Sequence, residues 1–370
     1  MSYSLSLMRK VVTRGPRALC RRVWTLLMQF TSFLRAGALW SRTLILFIVP
    51  GEEFVAGGMF SIYNLYRMSI RMREVHQGSV IMCFCPGRRL PRWRNTTIDS
   101  GITICPLEFA LRASVRARKL LIHVPEYLLQ DFVEQVGIEK LERLSKRRGM
   151  RLNILNQNVT LMPPLPFIEE LRKALPGVTC TCAHPSYSTL EYQQKLGVPV
   201  HHLPAWTYPR EPVVSAYEEK ENIFLVSPDR SEWREPVLSL IGRELPQFRI
   251  QVVFNMPFEE YLKLAQRAKF SLTFGEGLDD YFIGVFLRGG IGFAVYNEEF
   301  FTAQFHDTRT VYPDWETLMH NLVSDVRLLD KKDAYEAINA PVRAQLESVW
   351  SSSRTIQHLR DFYEGKFSLL

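Results

Sequence analysis

The chain has 370 residues, 46% hydrophobic and 23% charged, the balance of a globular protein of about two domains; a disordered chain, a collagen and a small disulfide scaffold are excluded. Near-average glycine and proline, with no repeat at a fixed period, exclude a low-complexity chain and a solenoid. The net charge of +8 is unevenly spread: residues 1–210 carry 29 basic and 13 acidic side chains, residues 211–370 carry 17 and 25. Such halves imply two domains with different partners, the basic one suited to anionic lipid or phosphorylated substrates. Nucleic acid is the weaker fit, because no zinc finger, RNP signature or basic heptad-linked helix is present.

Residues 1–42 read as a basic amphipathic extension. Arg9, Lys10, Arg14, Arg17, Arg21, Arg22, Arg35 and Arg42 occur there without one acid. Its apolar stretches, Val23–Phe33 and Ala36–Pro50, are broken by Arg35 and Arg42, so neither supplies the roughly 20 apolar residues of a spanning helix. Mixed with Trp24, Leu27, Phe30, Phe33 and Trp40, these charges predict an interfacial helix lying on an anionic membrane. A core-packing extension and an Arg- and Ser-rich presequence are the alternatives. The expected location is cytoplasmic, peripheral at the inner face of the membrane.

A first Rossmann-like domain is expected over 43–205. Thr43–Val49, Val80–Cys85, Lys119–Val124, Arg151–Leu155 and Val178–Ala183 are apolar runs of strand length. A helical pattern through Arg73 follows Gly57-Gly58, another covers Tyr127–Arg148, and a third runs from Thr189 to Leu196. Cys83 and Cys85, and Cys180 and Cys182, sit two apart on strands. They read as core-facing thiols, kept reduced in a cytoplasmic chain, and not as a zinc array. Residues 206–221, with Tyr208, Pro209 and Pro212, read as a linker.

A second Rossmann-like domain is expected over 222–340 and a C-terminal helix over 341–370, where Pro341–Tyr363 is helical in pattern. Asn222–Ser227, Phe248–Phe254, Phe270–Phe274 and Ile291–Tyr296 read as strands, alternating with helices over Glu235–Glu244, Pro257–Arg267 and Phe282–Leu287. Two such domains place a ligand in the cleft between the carboxyl ends of their strands.

The segment from Phe274 to Gly292 carries the chemistry. A buried strand ends at Gly275-Glu276-Gly277 and leads through Asp279 and Asp280 to a helix. Glycines there let a ligand approach the backbone, and the N–H groups of the helix start suit a diphosphate. Glu276 would meet sugar hydroxyls. This segment resembles the donor-site motif of glycosyltransferases of the GT-B fold, in which two Rossmann-like domains face each other across a cleft. Many retaining members carry Glu-x7-Glu, the first Glu on the donor sugar and the second on the nucleotide ribose. Glu276 matches the first, but Gly284 stands at the second position. Asp279 or Asp280 substitutes for it, or the nucleotide is held differently, or activity is lost. Tyr281-Phe282-Ile283 and Phe293-Ala-Val-Tyr-Asn297 also resemble bacterial capsule and O-antigen transferases.

The resemblance implies a hexosyltransferase, retaining in type, that moves a sugar from a nucleotide sugar to a saccharide or lipid-linked acceptor in surface polysaccharide synthesis. Gly57 and Gly58 would flank the donor, Arg230 and Arg234 would neutralise the leaving diphosphate, and Gly275 and Gly277 would line the same site. His184, at the end of its strand, is a candidate catalytic group. Asn156-Gln157-Asn158 follows a strand and offers amides suited to sugar hydroxyls, Asn156 and Gln157 being the candidates for the acceptor, with a plain polar loop as the alternative. No cofactor and no metal are implied, since no Asp-x-Asp stands in a metal-binding context. An inactive sugar- or partner-binding relative and a sugar-nucleotide epimerase are the alternatives.

Overall fold

The computed structural model describes residues 16–51, 57–85, 92, 99–113 and 116–369. Arg9, Lys10 and Arg14 of the basic extension lie outside the described residues.

The apolar runs of the first half show no in–out alternation, and most of their residues are buried, as strands covered by helices on both faces require. β1 (Thr43–Val49), β2 (Ser79–Phe84), β3 (Cys105–Pro106), β4 (Lys119–Pro125), β5 (Met150–Asn156), β6 (Val178–Cys182) and β7 (Val200–His202) form one sheet in the order β3-β2-β1-β4-β5-β6-β7. Every pair is parallel. A second parallel sheet holds β8 (Glu221–Val226), β9 (Arg249–Val252), β10 (Ala268–Leu272), β11 (Ile291–Val295) and β12 (Val311–Tyr312), in the order β12-β11-β10-β8-β9. The strand order reverses at β1/β4 in the first sheet and at β8/β10 in the second. Loops leaving those four strands diverge to opposite faces and leave a crevice between them.

The helices that matter to the site are α1 (Pro16–Arg35), α2 (Gly57–Arg71), α3 (Arg73–His76), α4 (Leu107–Ala113), α5 (Leu129–Val136), α6 (Ile138–Arg148), α7 (Leu165–Ala174), α8 (Leu190–Leu196), α9 (Arg234–Glu244), α10 (Phe258–Arg267), α11 (Asp280–Phe286), α12 (Trp315–Leu329), α13 (Lys332–Glu347) and α14 (Ser352–Glu364). The single helix expected over Tyr127–Arg148 is two helices, α5 and α6. Gly137 separates them at φ 84°, a backbone conformation that interrupts the helix and that glycine adopts at little cost. The expected strand Phe270–Phe274 lies two residues earlier, and Phe274 stacks on Trp315 instead.

The C-terminal region also differs from expectation. Pro341 lies inside α13 and does not open a helix. Tyr335 and Leu346, both buried, seat α13 on the second domain, and that burial offsets a proline cost of about 3 kcal/mol. The chain then returns to the first domain through α14. There the Tyr363 and Ser69 hydroxyls meet at 2.6 Å and the His201 ring meets the His358 carbonyl at 2.7 Å. The two domains are thus joined by two chain crossings.

The amphipathic extension is anchored on one side. Gln29 donates to the Ile104 carbonyl at 2.9 Å, and the buried Phe33 packs edge-on against Phe109 of α4. Its other face leaves Trp24 66% and Leu27 52% exposed. No helix among the described residues is long and apolar enough to cross a membrane. Cys83, Cys85, Cys180 and Cys182 are free thiols buried in the core, with Cys85 just past the end of β2.

Candidate functional site

The four loops at the two switch points converge. After β1, α2 starts at Gly57 and Gly58; after β4 comes Glu126; after β8 come Asp229 and Arg230; after β10 come Gly275, Glu276 and Gly277. β5 lies beside β4 and adds Gln157 and Asn158. Gly277 has φ 84°, and a Cβ there would stand 2.6 Å from the Phe301 ring and 2.8 Å from the Val295 carbonyl, so the turn that presents Glu276 requires glycine.

Asn158 joins the two sides of the cleft. Its side-chain amide donates to Glu276 Oε1 at 2.5 Å, and its backbone N–H donates to Glu126 Oε1 at 3.1 Å. Its own Oδ1 accepts from the Thr160 N–H at 2.9 Å, which fixes the amide's orientation. Glu126 is 2% exposed, and its Oε2 has no partner among the described residues. Burial raises the Glu126 carboxyl to about 7, against the backbone hydrogen bonds that lower it; the charge of Glu276 adds to the rise. Burial likewise raises Glu276 to about 7, against the Asn158 bond, with Asp229 adding to the rise. Two carboxyls near neutrality, one from each domain, can each hold or release a proton at physiological pH.

The domains also touch beside this bridge. Phe60 of α2 stacks on Phe258 at the start of α10, with ring centroids 3.9 Å apart. The Ser186 hydroxyl donates to the Glu299 carbonyl at 2.8 Å.

Of the residues read from sequence, Glu276, Gly275 and Gly277 stand in the cleft. A Cβ at Gly58 would lie 2.7 Å from Gln157 Oε1, so the glycine loop and Gln157 are neighbours; Gln157 Oε1 accepts from the Ser61 hydroxyl at 2.8 Å. Asn156 is turned inward instead, donating to the Tyr192 hydroxyl at 3.1 Å. His184 is 6% exposed and ringed by Tyr187, Phe300 and Trp350. Burial lowers its pKa to about 4, so the ring is neutral at pH 7. Arg230 is exposed at the cleft rim. Arg234 braces the loop before it, donating to the Pro228 carbonyl at 3.1 Å.

Asp279 and Asp280 have internal partners. Asp279 is the N-cap of α11, accepting from the Tyr281 N–H at 2.8 Å, the Phe282 N–H at 3.3 Å and the Thr273 hydroxyl. This corrects the expectation that those N–H groups are open to a diphosphate: an aspartate at the N-cap satisfies them from within the chain. Asp280 accepts from the Tyr208 hydroxyl, and Tyr208 lies beneath the Arg288 guanidinium, 4.3 Å from its ring centroid. The position at 284 is closed as well, because a Cβ there would stand 2.5 Å from that same hydroxyl.

Asn158 is the third amide of the Asn156-Gln157-Asn158 run read from sequence, and the structure brings it to the cleft; Glu126 is not among the sequence candidates. Glu126 had one legible signal, a polar residue directly after a strand beside the switch point. Asn158 belongs to an Asn-Gln-Asn triplet in which spacing alone does not separate the three amides.

No protein-family model matches the sequence, and neither does any curated protein. Solved structures do resemble the fold. HepE of Anabaena in complex with UDP-glucose superposes with a TM-score of 0.54 at 8% identity, over 87% of this chain and 99% of that one. An alpha,alpha-trehalose 6-phosphate synthase from Burkholderia multivorans gives 0.51 at 11% identity, over 88% and 98%. An E. coli trehalose-6-phosphate protein bound with UDP-2-fluoro glucose gives 0.51 at 9%, over 89% and 100%. At these identities the likeness is one of fold: the chain has the GT-B layout, two Rossmann-like domains facing each other across a cleft.

Proposed function

We propose that this protein is a glycosyltransferase that moves a sugar from a nucleotide-sugar donor to a saccharide or lipid-linked acceptor in surface polysaccharide synthesis. The observation that carries the reading is the placement of Glu276 at the β8/β10 switch point, bridged by Asn158 to Glu126 of the other domain. Two similarly folded proteins hold UDP-glucose or UDP-2-fluoro glucose, which supports a nucleotide-sugar donor. In this reading the donor sugar displaces the Asn158 amide and its hydroxyls donate to Glu276. Arg230 and Arg234 face the diphosphate. As the acceptor hydroxyl oxygen bonds to the anomeric carbon, the sugar–phosphate bond breaks, and the diphosphate leaves with the electron pair, stabilised by those charges, its departing oxygen taking up the acceptor's proton. The match at Glu276 supports retention of configuration.

Calorimetric titration with UDP tests this. Arg230→Ala with Arg234→Ala is expected to weaken UDP binding by about 1.5–3 kcal/mol, the worth of a charge-assisted bond to phosphate. Glu276→Ala should leave UDP affinity intact and abolish the difference between UDP and UDP-glucose. A wild-type chain that binds no nucleoside diphosphate favours the second reading, an inactive sugar- or partner-binding relative. The filled position at 284 is the observation in its favour.

We also propose that α1 places the enzyme on an anionic membrane. Its exposed face sets Trp24, Leu26 and Leu27 beside Arg21 and Arg22. Each basic residue near such a surface is worth about 1 kcal/mol. Trp24→Glu with Leu27→Glu, both solvent-facing, should weaken sedimentation with phosphatidylglycerol vesicles without lowering stability. Undiminished sedimentation would remove α1 as the contact.

A further inference from the structure

A groove of about 250 Å3 lies between the C-terminal half of α2, the segment 206–211 and the start of α14, where both crossings between the domains meet. Four guanidiniums border it: Arg67 and Arg71 on α2, Arg210 on the crossing segment and Arg360 on α14. Two carboxylates are present, and both have partners. Glu74 pairs with Arg360 at 3.3 Å. Glu211 accepts from the Ser352 N–H at 3.3 Å and from the Ser352 hydroxyl, at the first residue of α14. Arg67, Arg71 and Arg210 therefore have no ion-pair partner among the described residues. Met68, Trp206 and Ile356 give the groove apolar walls.

Four guanidiniums against two carboxylates leave this concave surface a formal excess of two positive charges, with Arg67, Arg71 and Arg210 outside any ion pair, and an anion that offers several acceptor oxygens relieves their repulsion. The planar fork of arginine matches phosphate in two-point contact, and the apolar walls suit carbon attached to that phosphate. Asn64 donates to the Trp206 carbonyl at 2.9 Å and the Tyr208 carbonyl at 3.0 Å, so the segment carrying Arg210 is held against α2. Arg73, two residues beyond Arg71, lines with Trp40 and Arg42 a second hollow of about 410 Å3 at the end of α1. The groove is lined by none of the cleft carboxylates.

We propose that this groove is a binding site for a phosphate-bearing ligand, either a free phosphate ester or the headgroup of an anionic lipid. The site stands whether or not the cleft binds a nucleotide sugar. The full-length protein is titrated with inorganic pyrophosphate and with UDP, and sedimented with phosphatidylglycerol and phosphatidylcholine vesicles. Arg67→Ala with Arg71→Ala is expected to weaken pyrophosphate binding by about tenfold or more and to leave UDP binding unchanged. Arg230→Ala with Arg234→Ala is the converse control: it lowers UDP affinity and leaves in place the pyrophosphate binding that Arg67 and Arg71 carry. If the source is a lipid, the loss appears with phosphatidylglycerol vesicles in place of pyrophosphate. Arg67→Lys with Arg71→Lys keeps the charge and removes the fork, so a built site loses affinity in this variant too. The proposal is overturned if the lysine variant binds both probes as the wild type does, or if the alanine variant changes neither. Arg67 and Arg71 are exposed, so both variants should keep the wild-type thermal midpoint, which is measured alongside.

Discussion

Glu126→Gln is expected to stabilise this protein above pH 7 and to leave its stability unchanged at pH 4.5. Burial raises the Glu126 carboxyl from 4.5 to about 7 in the folded chain. Below pH 4.5 the group is protonated in both states and contributes nothing. Between 4.5 and 7 the unfolded chain releases its proton and the folded chain keeps it, so stability falls as pH rises. Above pH 7 the folded carboxylate is charged with Oε2 unpartnered, and the full cost, about 3 kcal/mol, is in force. Glutamine keeps an oxygen for the Asn158 N–H and carries no charge, so it removes that cost. Urea unfolding of the variant and the wild type at pH 4.5 and pH 8 measures it. A stability difference that is equal at both pH values would show that Glu126 is not held in the environment described.

Gly284→Ala is expected to cost about 1–3 kcal/mol, and Gly284→Glu about 3–5 kcal/mol. A Cβ at 284 would meet the Tyr208 hydroxyl at 2.5 Å and Asp280 Oδ1 at 2.9 Å. Tyr208 has nowhere to retreat: it is buried, its hydroxyl is bonded to Asp280, and Arg288 lies over its ring while donating to the Gly284 carbonyl at 2.7 Å. A glutamate adds a second carboxylate beside Asp280, so like-charge crowding adds to the clash. The ribose-binding position of the resembled motif is therefore filled from within the chain, and no gain in UDP affinity is expected from restoring its acid. Urea denaturation of Gly284→Ala, Tyr208→Phe and the pair together resolves the contact. The double variant should be more stable than the sum of the single losses implies, by about 0.5–3 kcal/mol. A neutral Gly284→Ala would mean that Tyr208 does not occupy this space.

The division of labour between sequence and tertiary structure is visible in the cleft. β1, β2, β4, β5, β6, β8 and β11 were legible because a strand buried on both faces must be an apolar run, and such a run is a local pattern. The turn at Glu276 was legible for the same kind of reason: a strand, a glycine that the backbone requires, and an acid before the next helix are neighbours in sequence. The role of that acid was not. From sequence Asp279 is a candidate ribose acceptor, and the position of the Tyr281 and Phe282 N–H groups makes it the cap of α11 instead.

The pairing of Glu126 with Glu276 lay further from view. They are 150 positions apart and meet because β4 lies beside β1, β10 lies beside β8, and the two sheets face each other. Pro341 shows the same dependence, since burial of Tyr335 and Leu346 carries α13 through a residue that in isolation would start or end a helix. Backbone propensity and apolar patterning act over a few residues, so composition and order alone determined the strands, the two-domain layout and the location of the Gly275–Gly277 loop. Burial, orphaned hydrogen-bond groups and raised carboxyl pKa values depend on what lies across a cleft, and only the packing of the two domains decided those.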